Sequence, residues 1–175
     1  MKRKGLICIF CGNGKGKTTA ALGTAFRAAG QELRVLIIQF MKKKKNIGEV
    51  NALTTAGLPI ELRQYGSRLF FKSRTCEPID IINAHQGLEA FKKAMESRVY
   101  DMIILDEINI AIDFGLLDCE EVCKIIAVKP SELHLILTGR NAPTELIELA
   151  DLVTEMREIK HPYNCGVQAQ KGIEY

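Results

Sequence analysis

Two short stretches carry side chains in patterns able to do chemistry. "GNGKGKTT" (12–19) sets three glycines, two lysines and a threonine pair side by side, and "LDE" (105–107) closes an apolar run with adjacent carboxylates. The first has the make-up of a phosphate cradle. Glycine backbone approaches an anion closely, N–H groups converge on phosphate oxygens, and a following helix adds partial positive charge at its N-terminus. Lys17 is placed to reach the β- and γ-phosphates, the Thr18 hydroxyl to ligate Mg²⁺, and Thr19 to donate to a phosphate as well. The usual G-x-x-x-x-G-K-[ST] pattern would put its first glycine at position 11, which here is Cys11, so Gly12, Gly14 and Gly16 form a shifted version. A glycine-rich turn with two solvated lysines is the plain alternative. The flanking strand and helix patterns argue against it.

In "DMIILDE" (101–107), Asp106 ends what reads as a buried strand beside the first one, where a carboxylate holds Mg²⁺ directly or through water. Glu107 is placed to position a nucleophile or a ribose hydroxyl. Together the two motifs describe a Mg-nucleotide site. They do not identify the reaction.

Such a site needs elements to hold it. Short apolar runs at 5–11, 33–40, 60–65, 102–107, 133–139 and 152–159 alternate with helical spacing at 17–29, 46–56, 79–97, 119–127 and 143–150, with Ser131 or Pro143 at possible helix boundaries. Strands alternating with helices predict an α/β fold with a mostly parallel six-stranded sheet and helices on both faces. Ligands then bind beyond the carboxyl ends of the strands. No repeat and no linker divides residues 1–175, so one domain is expected.

Composition narrows the setting. With 47% hydrophobic and 26% charged residues the chain is ordinary for a globular protein, and a net charge of +3 does not by itself imply nucleic acid. "MKRKGLICIFCGNG" has an apolar run too short for a signal peptide, and no run approaches a membrane span. The expectation is a cytosolic, cytoplasmic protein whose six cysteines are free thiols. Cys8 and Cys11 share C-x₂-C spacing, but positions three apart on a strand face opposite ways and no second such pair occurs, so packing explains them better than zinc.

"GNGKGKTTAALGTAFRAAG", "VLIIQFMK", the "GE" at 48–49, "LDEIN", "LILTGRNAP" and the ending "LADLVTEMREIKHPYNCGVQAQKGIEY" occur in order over almost the whole chain. Together they closely resemble the bacterial ATP:corrinoid adenosyltransferases, a family that uses the same shifted phosphate loop. The resemblance implies a RecA-like P-loop NTPase fold and transfer of the 5′-deoxyadenosyl group from ATP to a reduced corrinoid such as cob(I)alamin. Cobalt(I) attacks the ribose 5′ carbon and tripolyphosphate leaves. It further implies a Mg²⁺ cofactor, an electron-donating flavoprotein or other reductant, a homodimer, and no membrane or nucleic-acid partner.

Carried over residue by residue, the family pattern assigns Gly12, Asn13, Gly14, Lys15, Gly16, Lys17 and Thr18 to the triphosphate with Thr19 adjoining, Thr18 and Asp106 to the metal, and Arg27 and Glu107 to the nucleoside end. Lys17 and Glu107 are the candidate catalytic pair. Arg140 in "TGR" is either a partner for phosphate or corrinoid or a salt-bridged surface residue. Family members commonly carry a phenylalanine and a tryptophan near "YGSRLFFKSRTCEP" (65–78) that displace the lower axial ligand of cobalt. This chain has no tryptophan, and Phe70 and Phe71 are either an equivalent apolar wall, with a catalytic role, or ordinary packing. "KKKK" (42–45) is either an attractor for an acidic partner or polyphosphate or, as four adjacent lysines usually are, a solvated loop, and "KHPYNCGVQAQKGIEY" an ordered tail, a cover for the site or part of a subunit contact. Two rival functions share the nucleotide site: another P-loop small-molecule phosphoryl transferase or ATPase, and a catalytically silent ATP/corrinoid-binding module.

Overall fold

The structure, a computed structural model, describes residues 4–42, 48–66 and 76–173. Its six strands are β1 (Ile7–Cys11), β2 (Val35–Phe40), β3 (Ile60–Tyr65), β4 (Met102–Asp106), β5 (His134–Thr138) and β6 (Leu152–Glu155). They form one sheet in the order β3-β2-β4-β5-β1-β6, with every pairing parallel.

The interior strands alternate between two cores, which is why they are apolar at nearly every position. Leu36, Ile38, Ile103, Leu105, Leu135 and Leu137 point to one face, under α3 (Pro78–Ser97), α4 (Ile108–Asp113), α5 (Cys119–Ala127) and α6 (Thr144–Leu149). Val35, Ile37, Met102, Ile104 and Ile136 point to the other, under α1 (Lys17–Ala29) and α2 (Gly48–Ala56). Cys11 lies in the first core and Cys8 packs against the second, so the C-x₂-C pair is split by the sheet.

Several expectations change. β5 lies between β1 and β4, so the strand carrying Asp106 is not the neighbour of the strand that enters the phosphate loop. Residues 108–113, left without an element in the sequence reading, form α4. The final strand stops at Glu155 rather than 159. Pro143 does cap α6, but Ser131 caps no helix; its carbonyl accepts the Gly5 amide.

Strand register sets the site. Gln39 pairs with Asp106, and Leu105 with Leu137, which puts Thr138 one step beyond, at the same sheet edge as Asp106. Phe10 pairs with Thr138, and Cys11 with Glu155. The phosphate loop, Asp106, Gln39 and Thr138 therefore converge at the carboxyl ends of adjacent strands.

Candidate active site

The loop between β1 and α1 is held from below. Gly14 N donates to Met156 O at 2.7 Å and Met156 N to Cys11 O at 2.9 Å, so the chain leaving β6 runs against the back of the loop. The glycines permit this approach: a Cβ at Gly12, where φ is +92°, would lie 2.5 Å from Met156 O, and one at Gly14 would lie 2.8 Å from Arg157 O. Gly16 caps α1 in the left-handed conformation, no side chain caps the helix, and its first turn holds no acid. A helix start without a capping side chain is an anion site. Lys17 crosses the loop and donates to Gly12 O and Gly14 O, each at 2.8 Å. Burial lowers its pKa and Arg140 acts the same way, against the opposing pull of Glu107.

Asp106 is the hub. It is 1% exposed, and both of its oxygens accept two donors. Oδ1 takes the hydroxyls of Thr18 at 2.8 Å and Thr138 at 2.7 Å; Oδ2 takes Gln39 Nε2 at 3.0 Å and the Lys42 ammonium at 2.7 Å. Gln64 donates to Gln39 Oε1 behind it. Burial alone would raise the Asp106 pKa, but the Lys42 charge and the bonds from Lys42, Thr138 and Thr18 hold it below the ordinary value. Burial likewise works against charge on Lys42, and Asp106 and Glu107 outweigh it, so its pKa is raised. The reading of Lys42 as part of a solvated run does not hold, because its ammonium is paired to a buried carboxylate.

Glu107 has a left-handed backbone (φ 65°) and caps α4. Such a conformation is unfavourable for a non-glycine residue and is held here by Ala111 N→Glu107 O and by Glu107 N donating to Thr138 Oγ1 at 2.9 Å. The turn throws its carboxyl toward the loop. Burial and then Asp106 raise its pKa, while Lys42, Lys17 and Arg140 pull the other way.

A cleft of about 850 Å³ opens above these groups, within the range of small-molecule sites. Asn13 through Thr19 form its floor, with Lys42, Glu107 and Arg140 at one side. Leu22, Gly23 and Phe26 of α1 and Ala52 and Leu53 of α2 supply an apolar wall. Glu158, His161, Tyr163, Asn164 and Ile173 also line it, so the polar tail borders the site.

A model of the family described as ATP:corrinoid adenosyltransferase BtuR/CobO/CobP matches residues 3–175. The corrinoid adenosyltransferase of Escherichia coli K12 is 36% identical over 172 residues, which cover 98% of this chain and 86% of that protein. Corrinoid adenosyltransferase CobA of Salmonella typhimurium is 35% identical over 174 residues, 99% and 87% of the two chains, and the Pseudomonas aeruginosa corrinoid adenosyltransferase 31% identical over 172 residues, 98% and 84%. The chain belongs to the ATP:corrinoid adenosyltransferase family.

Of the residues that the family pattern singles out, the structure brings together Asn13 to Thr19, Asp106, Glu107 and Arg140. Gly12 lies behind the cleft and accepts Lys17. Arg27 is exposed in the last turn of α1 and does not line the cleft, where Phe26 and Gly23 stand instead. Phe70 and Phe71 lie outside the described residues. Sequence reasoning missed Thr138, Gln39 and the individual role of Lys42, because their importance comes from strand register rather than from a local pattern. Among the described residues no helix is long and apolar enough to cross a membrane.

Proposed function

We propose that this chain transfers the 5′-deoxyadenosyl group of ATP to the cobalt(I) of a reduced corrinoid, giving adenosylcobalamin or an adenosylated precursor. The observation that carries this reading, beside family membership, is the 2.8 Å bond joining Thr18, which lines the cleft, to Asp106 buried beneath it. In the reaction the cobalt(I) electron pair forms the cobalt–carbon bond, the C5′–O bond breaks, and its electrons leave with tripolyphosphate. No protein nucleophile or general base is required. What the protein supplies is orientation and charge stabilisation.

Each part of the site has a task in that scheme. The loop amides, the start of α1 and Lys17 hold the triphosphate as a leaving group, and Arg140 adds charge beside it. Glu107, on its strained turn, faces the nucleoside end. The apolar wall of Leu22, Phe26 and Leu53 suits the less polar parts of the substrates.

Thr18 and Asp106 present hard oxygen donors, and the Lys42 ammonium beside Asp106 means that a cation is already accommodated there. Mg²⁺ would be held by the Thr18 hydroxyl and by Asp106, directly or through water, and would neutralise triphosphate charge. An external reductant, a flavoprotein by family resemblance, keeps cobalt reduced. A homodimer is part of the same proposal, and the outer side of β6, where Leu152 and Val153 are exposed, offers apolar surface for a second copy.

Phosphorus NMR of the spent reaction tests the proposal. Tripolyphosphate appearing only when reduced corrinoid is present supports it. ADP or free phosphate as the product contradicts it and indicates phosphoryl transfer.

A further inference from the structure

Lys42 stands where the proposed reaction needs a metal. It follows β2 by one residue beyond Met41, whose left-handed backbone (φ 56°) turns the chain at the sheet edge. Its ammonium is 2.7 Å from Asp106 Oδ2 and 3.5 Å from Thr18 Oγ1, the two side chains that the phosphate-loop reading assigns to Mg²⁺. The side chain is 29% exposed and lines the cleft, so the ammonium faces the carboxylate on one side and the triphosphate path on the other.

A carboxylate that is 1% exposed needs a counter-charge. An ammonium has three donors; the Asp106 bond uses one and the longer bond to Thr18 Oγ1 engages a second. The ammonium lines the same cleft as Lys17. Two cations drawn to one carboxylate repel each other, so occupation of Asp106 by the ammonium and by a divalent ion must be antagonistic.

We propose that Lys42 is a resident cation of the site that substitutes in part for Mg²⁺ in triphosphate binding and gives way as the metal is taken up. The proposal rests on the reading of the cleft as a Mg-ATP site. Its consequence is thermodynamic: Lys42 and Mg²⁺ contribute to ATP affinity as alternatives and not as a sum, so removing one makes the other matter more.

Equilibrium titration of the full chain with ATP, without corrinoid, in excess EDTA and again in saturating Mg²⁺ tests this. Lys42→Gln keeps a donor for Asp106 and removes the charge. It is expected to lose at least about tenfold in affinity in EDTA and no more than about threefold in Mg²⁺, so the ratio of the two dissociation constants rises. Lys42→Arg, which keeps the charge, stays within about threefold of the parent in both arms.

Equal losses in both arms, or no loss in EDTA, overturn the proposal. Asp106→Asn provides an independent reading if the Gln variant does not fold. With the carboxylate gone and the ammonium retained, ATP affinity in EDTA is held or tightened, and a loss greater than about tenfold there contradicts the role assigned to Lys42. A parent protein that binds ATP in neither arm overturns the Mg-ATP reading and this proposal with it. A parent that binds, with an unchanged ratio in Lys42→Gln, overturns the Lys42 role alone.

Discussion

Thr138 donates its hydroxyl to Asp106 Oδ1 at 2.7 Å, and Thr138 Oγ1 itself accepts the Glu107 amide at 2.9 Å. One buried side chain on β5 thus fixes the carboxylate of one acid and the strained backbone of the next. Replacing it by valine keeps the shape and removes both bonds, leaving a buried donor and acceptor short of partners. Thr138→Val is expected to lower stability by about 1–3 kcal/mol in urea denaturation, and Thr138→Ser to restore most of it.

The glycines of the site separate into two kinds. A methyl at Gly14 meets Arg157 and Met156 backbone at 2.8 Å, whereas a methyl at Gly23, midway along α1, meets nothing within 4 Å. Gly14→Ala is therefore expected to destabilise by about 1–3 kcal/mol and to weaken ATP binding, because the loop must lift off the chain behind it. Gly23→Ala should raise stability by about 0.4–1 kcal/mol in thermal unfolding without ligand.

Lys17 donates to the Gly12 and Gly14 carbonyls, which lie in a partly exposed loop, and in the proposed scheme its ammonium meets the triphosphate. Lys17→Ala should fold normally by circular dichroism. A lost charged hydrogen bond of about 1.5–3 kcal/mol corresponds to ATP affinity about 10- to 150-fold weaker by calorimetry.

Glu107 gives a pH signature. Burial, reinforced by Asp106, raises its folded-state pKa above that of the unfolded chain. Below the ordinary glutamate range both states hold the proton and no penalty exists. As pH rises, the unfolded state ionises first and the folded state loses stability until the raised pKa is passed. Glu107→Gln should therefore melt higher than the parent at neutral and alkaline pH, with the difference vanishing below about pH 4. Asp106 has the opposite sign: its lowered pKa contributes stability above the ordinary aspartate range that is lost on acidification. A difference between parent and Gln variant that grows toward acid contradicts this assignment.

Much of this architecture is legible in the sequence because it is local. Apolar runs such as "LRVLIIQF" read as strands since both faces are buried, and strand, glycine loop and helix are contiguous around Lys17. What escapes is long-range. Gln39 looks like an interruption of an apolar run until register sets it against Asp106, and Thr138 looks like a strand end until β5 falls between β1 and β4. Lys42 is hidden in the sequence among identical neighbours, and its role comes from the end of β2 lying beside Asp106. α4 is six residues long, and its start depends on the left-handed turn at Glu107, which no propensity favours. The tail is polar because it borders a cleft, a fact its composition shares with any surface loop.

The central claim is that the phosphate loop holds a leaving group. The most direct measurement is an anaerobic reaction with ATP, Mg²⁺ and chemically reduced cobalamin, following corrinoid absorbance and tripolyphosphate together. The expected result is a light-sensitive cobalt–carbon product formed one for one with tripolyphosphate. Saturation by both substrates with no such product, or phosphate release that does not depend on the corrinoid, would contradict it.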